Sequence, residues 1–100
     1  MRDGQALAAD DFQACANGSD DAAIAACTRA IASGNYRGRE LAALYENRGY
    51  AWVKNFEHDR ATADYTEAIR LDPKLALAYY NRGVIWEVRH NLQNALADFK

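Results

Sequence analysis

The residues able to do chemistry in this chain are few. Cys15 and Cys27 are its thiols, His58 and His90 its imidazoles, and Asp10-Asp11 and Asp20-Asp21 are adjacent carboxylate pairs. Thiols and imidazoles at close spacing could hold a zinc-like metal or act as nucleophile and base, and paired carboxylates could share acid and base roles. The spacing supports none of these. The cysteines are not in a C-x-x-C arrangement, no histidine lies near them, and no glycine loop for a phosphate is present. His58 and His90 read as solvated turn residues. Asp20-Asp21 reads as negative charge at a helix start, where the dipole favours it, and Asp10-Asp11 as a wet face. The chain is therefore expected to be no enzyme, with no cofactor and no metal.

The elements that would position these residues are helices. Half of the 100 residues are hydrophobic, there is one proline, and no alternating β-branched run occurs. That balance favours helix over sheet. The net charge of -2, with basic residues spread from Arg2 to Lys100, argues against nucleic acid as partner. No stretch approaches the roughly 20 apolar residues of a membrane span, so membrane insertion is not expected. Met1-Arg2-Asp3-Gly4-Gln5 lacks the apolar core of a leader.

Self-similarity orders the helices. Residues 41–66 match residues 75–100 at an offset of 34, with ten identities in twenty-six pairs. Tyr45-x-Asn47-Arg48-Gly49-x-x-Trp52 returns as Tyr79-x-Asn81-Arg82-Gly83-x-x-Trp86, and Ala61-x-Ala63-Asp64-Tyr65 as Ala95-x-Ala97-Asp98-Phe99. A fainter copy stands earlier, since Ala23-x-Ala25-x-Cys27-Thr28-x-Ala30-Ile31 matches Ala61 to Ile69 at an offset of 38, with the extra residues within 35–39. Such a period marks stacked helical hairpins. Helices are expected near 5–16, 20–32, 39–54, 58–71, 74–89 and 92–100, with Asp72 capping a helix that has Pro73 in its first turn.

The sequence resembles the tetratricopeptide repeat family at these positions: Tyr45, Gly49, Trp52, Ala61, Tyr65 and Pro73 fall on its pattern in order. Arg48 and Arg82 depart from it, standing where leucine is usual, in an Asn-Arg-Gly form similar to that of bacterial members. The resemblance implies an all-α fold, an α-solenoid of antiparallel hairpins with about six helices in a single domain. Hairpin 1 would span about 5–34, repeat 2 about 42–75 and an incomplete repeat 3 about 76–100. Gly49 with Ala61 and Gly83 with Ala95 would mark close helix crossings, while Tyr45, Trp52, Tyr65, Tyr79, Trp86 and Phe99 would fill the core.

The resemblance also implies a function, because the first helix of each hairpin lines an inner groove where partners are held. The groove residues expected here are Phe12, Glu46, Asn47, Tyr50, Lys54, Leu77, Tyr80, Asn81, Val84 and Glu87, with Ala16, Ala43 and Val88 beside them. Tyr50, Tyr80 and Leu77 are the expected anchors. Ala8, Phe12, Leu77 and Asn81 occupy the inner positions where family members that clamp chaperone tails use basic residues, so an apolar or aromatic-bearing peptide or helix fits better. The rival reading is an oligomerisation unit. The third repeat stops at Lys100, leaving Leu92, Leu96 and Phe99 without a capping helix, so self-association is expected there.

Cys15 and Cys27 flank the turn at 17–19, and helical side chains lean toward the N-terminus, which brings the pair within reach of a bridge. Two buried thiols are the alternative. A bridge implies an oxidising compartment, periplasmic or exported with a leader removed; free thiols imply the cytoplasm.

Overall fold

The computed structural model describes residues 4–88 and 92–99, with side chains described at 10–88, 94 and 96–99. Among these residues there are six helices: α1 Gly4–Asn17, α2 Asp21–Ala32, α3 Gly38–Lys54, α4 His58–Leu71, α5 Ala76–Val88 and α6 Leu92–Phe99. The all-helical class is as expected. Each helix packs against the next in sequence, α1 also meets α3, and the molecule extends 52 × 25 × 17 Å.

Local chemistry sets the helix ends. Asp20 has extended backbone and its carboxylate accepts the Ala23 N–H at 2.9 Å, which satisfies one of the orphan donors at the start of α2. Past α2 the chain reverses at Gly34, whose φ of 74° is open to glycine at little cost. Asn55 closes α3: its side-chain amide donates to Ala51 O at 2.8 Å and to Ser19 O at 3.1 Å, tying that end of α3 to the α1–α2 turn. The start of α5 differs from expectation. Pro73 and Lys74 form a separate turn, in which the Asp72 carboxylate accepts the Lys74 N–H and the Asp72 carbonyl accepts the Leu75 N–H. Asp72 thus caps a turn of its own, and α5 begins only at Ala76.

Two clusters make the core, and α3 belongs to both. One gathers Cys15, Ala26, Cys27, Ala30 and Leu44, the other Ala42, Ala61, Tyr65, Ala68, Ala78 and Ile85. Cys15 and Cys27 are joined by a disulfide, completely buried, at the place the repeat gives to the Tyr65 ring. The longer α2–α3 connection folds back: Tyr36 sets its ring 5.0 Å from that of Phe12. Phe12 is therefore half-buried packing on the first cluster rather than an open groove residue, a correction to the expectation.

Gly49 and Gly83 each stand against an aromatic ring. A Cβ at Gly49 would stand 2.7 Å from Tyr65 Cε1, and one at Gly83 2.5 Å from Phe99 Cε1. Each glycine leaves room for the aromatic ring of the next helix. Ala61 is buried as expected, whereas the Ala95 side chain lies outside the described residues.

The arginines that break the family pattern also recur with a common purpose. Arg48 forks onto Asp64 through Nε at 2.7 Å and Nη2 at 2.8 Å, and donates from Nη1 to Thr28 Oγ1 at 3.2 Å. Arg82 repeats this with Asp98, at 2.7 Å twice, and Thr66 Oγ1 at 3.1 Å. Each guanidinium thus ties its own helix to the following helix and to the preceding one. It also covers an aromatic ring, Arg48 over Tyr45 at 5.4 Å and Arg82 over Tyr79 at 5.9 Å. A planar fork can satisfy a carboxylate and still reach a third helix, which an ammonium on a flexible stem could not reproduce.

Candidate functional face on helices 3 and 5

Apart from Phe12 and Ala16 on α1, the expected groove residues fall on α3 and α5, which are linked by a hydrogen bond. Asn81 Nδ2 donates to Glu46 Oε1 at 2.9 Å, joining α5 to α3 across the repeat. One turn after Glu46 stands Tyr50; one turn either side of Asn81 stand Leu77 and Val84, with Val88 beyond. Residues three and four apart share a helix face, so these side chains form one continuous surface. Tyr50 is 45% exposed, Leu77 54%, Tyr80 59% and Val88 58%, a large apolar and aromatic display for so small a chain. Lys54 lays its ammonium over the Tyr50 ring at 5.4 Å, and Glu87 is exposed at the far end.

Two expected recognition groups are already engaged. Glu46 was expected to be open, yet it is buried, and burial pushes its carboxyl above the usual carboxylate range while the Asn81 hydrogen bond works against that shift. Asn81 commits an Nδ2 N–H to Glu46. Asn47 is half-buried. Beneath this face the Tyr65 hydroxyl is enclosed with no hydrogen-bond partner; its pKa is raised first by burial and then by the charge of Glu46.

Tyr80 leans the other way, with its ring 5.6 Å from that of Phe99. The two, with Pro73, Lys74, Ala76 and Tyr79, line a cleft of about 480 Å³ at the α5–α6 end. Of the residues expected to self-associate, Leu96 is exposed, Phe99 is partly covered by Gly83 and Tyr80, and the Leu92 side chain lies outside the described residues.

The aromatic positions expected in the core are mixed. Tyr65 is fully buried, but Trp52 and Trp86 are half-buried. Arg60 covers Trp52 at 5.0 Å, and the Trp86 indole donates to Asp98 at 2.9 Å. Asp11, expected on a wet face, accepts Arg29 Nη2 at 3.0 Å and so links α1 to α2. His58, expected to be solvated, opens α4 half-buried, with Nδ1 enclosed and unpartnered. His90 lies outside the described residues. Among the described residues no cluster of histidine, cysteine, aspartate or glutamate has the arrangement of a metal site, and no helix is long and apolar enough to cross a membrane.

The signal for Glu46 was in the sequence only in part, because its helical position was clear while the reach of Asn81 from the next hairpin was not. The arginine forks were not expected either, although a signal for them was present: Arg48 and Asp64 are separated by the same interval as Arg82 and Asp98. No protein-family model matches this chain, and no curated protein matches it.

Proposed function

We propose that the chain is a protein-interaction module of tetratricopeptide-repeat type that holds a peptide or helix of a partner protein on the face shared by α3 and α5. The observation that carries this reading is the stripe of Tyr50, Leu77, Val84 and Val88 around the Glu46–Asn81 junction, exposed on two helices whose other faces are packed. The period of 34 residues, the Gly49–Tyr65 and Gly83–Phe99 pairs and the two arginine forks support the solenoid arrangement. A stripe of large side chains on rigid helices offers contact area with little ordering entropy to lose, which suits an anchor surface. Binding rather than catalysis is the reading, since both thiols are held in the bridge and the enclosed Nδ1 of His58 has no hydrogen-bond partner.

The test is affinity capture from the source cell's lysate with the native chain and with a Tyr50→Ala, Leu77→Ala version, which spares the Tyr80–Phe99 cleft and is shown by circular dichroism to be folded. A protein retained by the first and lost from the second is the expected result. Recovery of copies of the chain alone, equally by both, would point to the second reading, an oligomerisation unit. That reading is favoured by the cleft between Tyr80 and Phe99 and by exposed Leu96, and it requires Leu96→Glu and Phe99→Glu to abolish self-association.

A further inference from the structure

Three acidic side chains are buried among the described residues: Glu46 at 7% exposure, Asp64 at 5% and Asp98 at 8%. The two aspartates are each gripped by an arginine fork. Glu46 is not. Its single hydrogen bond comes from the neutral amide of Asn81, and among the described residues no cation pairs with it. A carboxylate withdrawn from water without a counter-charge is costly, and buried charges are ordinarily paired or neutralised.

This unmatched charge lies on the face proposed for binding, one turn from exposed Tyr50 and beside the α5 stripe of Leu77 and Val84. The fully buried Tyr65 hydroxyl, electrostatically coupled to both Glu46 and Tyr50, likewise has no partner. The floor of the face is thus electron-rich and incompletely satisfied, and its walls are aromatic and aliphatic. That combination suits a cation on an apolar stem: the charge reaches the carboxylate and flanking apolar side chains cover the α5 stripe, while the Lys54 ammonium already lies over the Tyr50 ring.

Resting on the reading of this face as a partner-binding surface, we infer that its occupant is a peptide segment that places an arginine or lysine side chain on Glu46, with apolar residues to either side. Glu46 is then the specificity-determining residue: among the described residues no cation pairs its carboxylate, and a basic side chain would supply that pairing. An acidic or purely apolar segment would leave that charge buried and unmatched, which is how a site rejects a wrong ligand.

A random peptide library displayed on phage tests this, selected in parallel on the native chain, on Glu46→Gln and on the Tyr50→Ala, Leu77→Ala version. Glutamine keeps the volume of Glu46 and an oxygen for Asn81, and circular dichroism checks that each variant is folded. Peptides enriched on the native chain are expected to share one basic position within an apolar context. A synthetic copy of one should bind the native chain about ten- to a hundredfold more tightly than Glu46→Gln, the range of a charge-assisted hydrogen bond. Replacing its basic residue by norleucine should erase that difference. Peptides that need Tyr50 and Leu77 but show no basic position, or bind Glu46→Gln equally, would overturn the cation inference and leave the face standing. Failure of the native chain to enrich anything beyond the Tyr50→Ala, Leu77→Ala version would overturn both.

Discussion

Replacing Gly49 by alanine sets two effects of opposite sign against each other. In an exposed helix the change stabilises by about 1 kcal/mol, because glycine loses more backbone freedom on folding. Here the added methyl would stand 2.7 Å from Tyr65 Cε1 and 2.9 Å from Cδ1, well inside the roughly 3.5–4.0 Å at which carbon atoms rest. The Tyr65 ring is fully buried and has no free space to move into, so the overpacking cost belongs near the upper end of the usual range, about 3 kcal/mol. The expected net effect is a loss of about 2 kcal/mol, or roughly 8–16 °C in Tm for a chain of this size. Gly83→Ala is the internal control. Its nearest contact is shorter, 2.5 Å to Phe99, but that ring is 40% exposed and can swing outward, so the net change should lie near zero. Thermal and urea unfolding followed by circular dichroism measure both. Pairing Gly49→Ala with Tyr65→Leu should cost less than the sum of the single changes. Additive costs, or a stabilised Gly49→Ala, would refute the claim that Gly49 exists to receive the ring.

Reducing the Cys15–Cys27 bridge, which closes a loop with a sequence separation of 12, should cost about 3 kcal/mol by loop entropy, read as a lower urea midpoint in reductant. Asp64→Asn leaves the Arg48 fork without its charge partner and should destabilise by about 2 kcal/mol, discounted because Arg48 keeps some access to water, while Arg48→Met with Asp64→Leu should recover most of the loss. Glu46→Gln should stabilise the free chain in a pH-dependent way. Burial raises the folded carboxyl above its ordinary 4.5, so the folded state holds the proton more tightly than the unfolded one. The native chain then loses stability as pH rises from the unfolded value through the folded one. The advantage of Glu46→Gln should accordingly be absent in strong acid, grow through that window and stay level above it, as unfolding midpoints at stepped pH would show.

The helices were legible because a 34-residue self-match repeats whole faces at once, and the bridge because two helical lean directions offset an uneven spacing about one turn. What was missed lies in reach across hairpins. Arg48 looked like a departure at an apolar position, because sequence spacing on one helix says nothing of Thr28 and Asp64 on two others. Glu46 was read as a groove residue from its helical phase, and the reach of the Asn81 side chain from the next hairpin was not visible in the sequence. Phe12 was taken for an open groove residue because the α2–α3 connection gave no sign that Tyr36 would fold back onto it. Pro73 suggested a helix start, but the Asp72 side chain found a nearer donor at Lys74 and closed a turn first.

The central claim is that the α3–α5 face receives the partner. Backbone amide shifts of the isotope-labelled chain, followed as a selected peptide or the captured partner's binding segment is added, test it residue by residue. Saturable shifts gathered at Glu46, Tyr50, Leu77, Asn81 and Val84 are predicted, with α2 and α4 unmoved on their outer faces. Shifts confined to Leu96, Phe99 and the cleft beside Tyr80 would contradict it and assign binding to the α6 end.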